Sequence, residues 1–170
     1  MKLHIVAFLL LLSVVFGISI NSKSQYLDTF CEKLVKSKYI YHEQDLETFE
    51  DESPNFKDEI VHTIITSTEQ LYYRYHSDKI YPIGRTYTWL SDRQYQTDED
   101  IRQNLAILPE WNTLDYLTIF KVPAGIEMGI GIVGPQSSGD QEYPGGGYQA
   151  LVNSKYLSTD FIVSTTARHE

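Results

Sequence analysis

The sequence is short of cysteine, of positive charge and of long apolar runs, and each shortage closes off a class of protein. Its one cysteine, Cys31, has no partner within the chain, so a disulfide-stapled scaffold is excluded. Lys and Arg together number 14 against 23 Asp and Glu, for a net charge of −9. A chain this acidic lacks the basic face that nucleic acid requires, and an anionic membrane repels it. A small anionic ligand stays compatible, because a few arginines can line one pocket of an acidic protein. The histidines at 4, 42, 62, 76 and 169 show no paired ligand spacing, so no metal site is expected. No Gly-X-Ser-X-Gly elbow and no P-loop occurs, no Gly-X-Gly-X-X-Gly opens a helix, and there is no Asn-X-Ser/Thr sequon.

The one apolar run of any length stands at the start. Lys2 and His4 precede Ile5 to Leu12, which Val14, Val15 and Phe16 continue, and small residues follow at Gly17 and Ser19. A basic start, an apolar core and a small-residue exit predict a secretory signal peptide over residues 1–17, with Ser19 an alternative cleavage point. The run falls short of the roughly 20 apolar residues that a membrane span needs. The protein is therefore expected to be secreted, with no membrane association after cleavage. The remainder is one domain's worth of chain.

The periodicities predict an α+β fold with a mainly antiparallel or mixed β-sheet core, an N-terminal helix and a short helix near 97–108. Leu27, Phe30, Cys31 and Leu34 recur at helical spacing over 26–36. Cys31 there is either a buried apolar residue or the link of a disulfide-joined dimer. Residues 43–59 are acidic and broken by Pro54, which reads as a solvated connector, so 18–59 is a helix plus connector. The segment 60–170 is the expected catalytic domain. Strands are predicted near 60–67, 71–75, 85–90, 116–122, 126–133, 149–153 and 161–166. Thr97 caps the second helix, Asp98, Glu99 and Asp100 favour its first turn, and Pro109 ends it. Gly129 and Gly131 leave room for a backbone or a ligand, and 137–147 reads as loop.

Three features carry chemistry. Arg74 stands between Tyr73 and Tyr75, Arg102 shares a helix with Ile101 and Leu105, and Pro144-Gly145-Gly146-Gly147-Tyr148-Gln149 forms a glycine-rich turn into a strand. Three consecutive glycines cost backbone entropy, which is easier to explain where backbone must approach a ligand or take φ > 0. A flexible hairpin loop explains them equally well.

In this order the pieces resemble the NAD glycohydrolase domain of the tuberculosis-necrotizing-toxin type. Leu71-Tyr72-Tyr73-Arg74-Tyr75 resembles the arginine-aromatic pair of that family, and Gly84 to Tyr87 its glycine-then-aromatic strand start. Arg102-Gln103-Asn104-Leu105-Ala106-Ile107-Leu108-Pro109 resembles its arginine with an Ala-Leu-Pro ending. Ile119-Phe120-Lys121-Val122-Pro123 is similar to the strand before the site. Gly134-Pro135-Gln136 and Pro144 to Gln149 resemble its closing signature, whose glutamine is the key active-site residue. The family's histidine between the second arginine and the closing strand is absent here, as is a tryptophan before the closing glycines.

The resemblance implies a secreted hydrolase that cleaves the nicotinamide–ribose bond of NAD, with NAD as substrate, no separate cofactor and no metal. It implies Gln149 and Arg74 as catalytic residues. Substrate would be bound by Arg102, Tyr75, Tyr87, Trp89, Gly146 and Gly147. Arginine forks suit a pyrophosphate, aromatic faces suit nicotinamide or adenine, and Gln149 would hold the ribose. A mono-ADP-ribosyltransferase, or a non-catalytic binding module on the same scaffold, are the other two readings.

Overall fold

The computed structural model describes residues 39–41 and 46–169. The expected signal peptide, the helix over 26–36 and Cys31 lie outside them. Runs of β-branched and aromatic residues dictate most of what is seen. They form strands β1 (Tyr39–Tyr41), β2 (His62–Thr66), β3 (Gln70–His76), β4 (Tyr87–Ser91), β5 (Tyr116–Val122) and β6 (Glu127–Ile132). Further on come β7 (Gln136–Ser138), β8 (Gln141–Tyr143), β9 (Tyr148–Asn153) and β10 (Ile162–Ala167). Eight of these make one sheet in the order β1-β2-β6-β9-β4-β3-β5-β10, and β7 with β8 forms a separate hairpin. Every pairing is antiparallel.

The α+β expectation is corrected. The protein is mainly antiparallel β, and among the described residues it has one α-helix, α1 (Asp98–Leu105). Thr97 caps α1 by accepting from the Asp100 backbone N–H. The helix does not run on to Leu108, as the sequence suggests, because Ala106 adopts a left-handed conformation (φ 46°, ψ 39°). The loop reading of 137–147 also needs correction, since that stretch contains the β7–β8 turn.

Register places four residues in one row across the sheet. Tyr73 on β3 pairs with Ser91 on β4, Ser91 with Gln149 on β9, and Gln149 with Gly131 on β6. Residues directly opposite one another share a face, so this row belongs to one side of the sheet. Two covers pack on that side. One is α1 with the chain after it, where Ile101, Leu105, Leu108 and Leu114 bury against Tyr75 and Leu117. The other is the acidic segment itself.

That segment is a 3₁₀ helix (Leu46–Asn55) rather than a solvated connector. Phe49 and Phe56 are 1% and 2% exposed and pack with Val61 and Leu151. The glycines of β6 make this fit. A Cβ at Gly129 would stand 2.9 Å from the Phe49 ring, and one at Gly131 would stand 2.4 Å from Phe56. The room they leave is thus filled by phenyl rings and not by a ligand. Burying two aromatic rings contributes roughly 1.5–3 kcal/mol each, enough to hold a short polar helix down.

Candidate active site

Between the two covers the sheet stays open, and a cavity of about 280 Å³ lies there. Its floor is the row just described, with Tyr73, Ser91 and Gln149. Tyr75, Trp89, Leu105, Ala106, Ile107 and Val133 form apolar walls. Glu52 and Asn55 reach it from the 3₁₀ cover, and Trp111, Asn112 and Gln136 from the loops beyond α1 and β6. Trp111 is 58% exposed and Trp89 stacks on Phe56, with ring centroids 5.6 Å apart.

Gln149 is the notable floor residue. It is 8% exposed, and its side-chain amide makes no hydrogen bond to any described residue. Its carboxamide, on a residue that lines the cavity, carries both an acceptor and two donors.

Arg74 borders the same cavity between Tyr73 and Tyr75. Alternation along β3 assigns its Cβ to the opposite face, that of His76 and Thr118. The β3–β4 ladder consists of the single pair Tyr73–Ser91, so the two strands part beside Arg74. The guanidinium has no carboxylate within ion-pair distance among the described residues, and its Nε is buried without a hydrogen bond. Burial pushes its pKa down to about 10, which still leaves a full positive charge at neutral pH.

The other expected site residues are elsewhere. Arg102 does not line the cavity. Its Nη1 donates to the Ile107 carbonyl at 2.9 Å and its Nη2 to the Asn112 carbonyl at 3.1 Å. It therefore ties down the loop carrying Ala106, Ile107, Trp111 and Asn112, all of which do line the cavity. Tyr87 packs against Phe49, with centroids 5.8 Å apart, and is also outside. Gly146 and Gly147 are not among the lining residues, and their backbone groups bond within the fold. The Gly146 N–H donates to the Val133 carbonyl, the Gly147 N–H to the Asn104 carbonyl, and the Gly147 carbonyl accepts from Val133. Gly145 and Gly146 take φ of 70° and 94°, and a Cβ at Gly145 would stand 2.5 Å from the Val133 oxygen. The triple glycine is thus required by close packing of β6, β9 and the end of α1.

Of the expected residues, the fold brings together Gln149, Arg74, Tyr75 and Trp89. It adds Glu52, Asn55, Tyr73, Ser91, Trp111, Asn112 and Gln136, which sequence reasoning did not assign to the site. The phenylalanines at 49 and 56, one helix apart inside an acidic run, were the available signal for the 3₁₀ cover. Among the described residues no group of three His, Cys, Asp or Glu side chains is arranged to hold a metal ion. No helix among them is long and apolar enough to cross a membrane.

No family model matches the chain, and no curated protein matches it. Among solved structures, its fold is similar to that of Tne2 in the complex of Tne2 with Tni2. The TM-score is 0.50 at 19% identity, over 64% of this chain and 92% of that one. The two chains share a fold.

Proposed function

We propose that the cavity binds NAD and that the protein cleaves its nicotinamide–ribose bond with water, releasing nicotinamide and ADP-ribose. Gln149 carries the proposal: a carboxamide on the floor of a cavity that a buried cation also borders. NAD is the substrate in this proposal, and no metal or further cofactor takes part.

The roles follow from the chemistry of the walls. Gln149 holds the ribose hydroxyls and fixes the sugar beside Tyr73 and Ser91. Arg74 supplies positive charge for the pyrophosphate where β3 and β4 part. Trp89 and Tyr75 give the flat apolar surface that a nicotinamide ring needs. At about 280 Å³ the cavity falls just short of the roughly 300–1,000 Å³ of ligand sites. It takes the reacting half of the dinucleotide, while the adenosine half lies outward over the exposed Trp111. The order of motifs shared with the necrotizing-toxin type supports the same substrate. Arg102 leaves the list of ligand contacts and becomes a positioning residue for the loop above the site.

The test mixes the purified protein with NAD and follows free nicotinamide. Release of nicotinamide with free ADP-ribose supports hydrolysis. Label from NAD appearing on a protein would move the activity to ADP-ribosyl transfer. Thermal protection by NAD without product would make the protein a binding module, and absence of both protection and product would end the NAD proposal.

A further inference from the structure

Glu52 is the one carboxylate among the described residues that line the cavity. Three separate contacts hold its segment in place. Phe49 fills the space over Gly129, Phe56 fills the space over Gly131, and the Gly134 N–H donates to the Asn55 carbonyl at 3.0 Å. Gly131 is the register neighbour of Gln149, so the 3₁₀ cover is anchored directly beside the Gln149 row. Asn55 Nδ2 donates to Glu52 Oε2 at 2.9 Å and orients the carboxylate. No cation lies within ion-pair distance of Glu52 among the described residues. A carboxylate kept at a cavity wall, steered by an amide and left without a counter-charge, suits a ligand that brings donors or positive charge of its own.

We infer that Glu52 is a catalytic carboxylate of this site, accepting from the ribose hydroxyls and facing the positive charge that develops on the sugar as its bond to nicotinamide breaks. The inference rests on the proposed cleavage of NAD. The C1′–N bond breaks with its electron pair passing to the pyridine nitrogen, which leaves as neutral nicotinamide. The sugar is left with an oxocarbenium charge shared between C1′ and the ring oxygen. Water adds its oxygen to C1′ and loses a proton to solvent. Glu52 forms no covalent bond. It stabilises the charge by Coulomb attraction inside a site that Tyr75, Trp89 and Val133 keep partly dry, where such attraction exceeds its value in water. Gln149, being neutral, supplies hydrogen bonds but not this term.

The experiment compares wild type, Glu52→Gln and Glu52→Asp, reading kcat and KM for nicotinamide release together with the melting temperature. Gln preserves shape and can still accept from Asn55. The expected result is a fall in kcat of about 100-fold for Glu52→Gln, with KM within a few-fold and melting unchanged. Glu52→Asp, which keeps the charge on a shorter stem, should retain more than a tenth of kcat. If Glu52→Gln lowers the melting temperature, the Asp variant decides, and loss of activity there overturns the assignment. A wild-type kcat in Glu52→Gln overturns Glu52 while leaving NAD cleavage intact. Wild type that releases no nicotinamide overturns the assignment of Glu52, and if NAD also gives no thermal protection the NAD proposal falls with it.

Discussion

Ser91 stands directly across from Gln149 in the β4–β9 ladder and, on its other side, is the only residue through which β4 pairs with β3. That placement puts the Gln149 amide at the point where the sheet stops being continuous. Beyond the Tyr73–Ser91 pair the strands separate, and the cavity floor extends to Arg74.

Gln149→Ala should reduce nicotinamide release by at least about 100-fold while shifting stability by less than about 1 kcal/mol. The amide makes no hydrogen bond to the described residues, so its removal orphans no partner. Steady-state kinetics and a denaturant titration check this. A large stability loss at unchanged specific activity would assign Gln149 to the core.

Arg102→Met should cost about 1–3 kcal/mol, because the Ile107 and Asn112 carbonyls both lose their charged donor. The loop it ties down carries Trp111, so KM for NAD should rise more than kcat falls. The reverse split, with KM unchanged and kcat lost, would place the guanidinium on the substrate.

Gly131→Ala should destabilise the protein by about 1–3 kcal/mol. Its new methyl would lie 2.4 Å from the Phe56 ring and 2.8 Å from the backbone oxygen of Ile60, which cannot give way cheaply. Because Phe56 anchors the 3₁₀ cover, NAD binding should weaken as well. Calorimetry of the variant with and without NAD checks both effects.

Stability should fall as the solution is acidified below pH 6.5, and part of that fall belongs to His76. Its Nδ1 lies 2.7 Å from the Asp78 carbonyl, which can only accept, so Nδ1 carries the proton. Nε2 then accepts from the Thr118 hydroxyl at 2.7 Å. Burial holds His76 below its ordinary value of 6.5, opposed by the hydrogen bond to the Asp78 carbonyl and aided by the charge of Arg74, and burial lowers His62 in the same direction. The unfolded chain therefore binds more protons than the native one just below 6.5. Native stability is complete above that value and is lost on descent, until the native imidazoles protonate too. Urea midpoints measured down this range should drop less steeply in His76→Gln than in wild type. Equal slopes would remove His76 from the account.

Much of the strand pattern was readable from the residues. β-branched and aromatic alternation marked β2, β3, β5, β6 and β9, and Thr97 marked the start of α1. The three-residue strands β1, β7 and β8 were not readable, because so short a stretch carries no measurable period. The end of α1 was misjudged for a related reason. The apolar spacing continues to Leu108, whereas the chain turns left-handed at Ala106 and the carbonyls of Ile107 and Asn112 beyond it bond to Arg102.

The site divides along the same line. The sequence by itself determined that Gln149 enters a strand after a glycine turn, that Arg74 sits within a strand between two tyrosines, and that the chain carries a net charge of −9. These are local properties of side chains and their neighbours. Only the tertiary structure decided that Arg102 and the triple glycine serve packing, and that an acidic stretch folds down on two phenyl rings to bring Glu52 to the cavity. Such placements depend on strand register and on which surfaces are left uncovered. Both arise from contacts between residues far apart in the chain, and no local pattern encodes them.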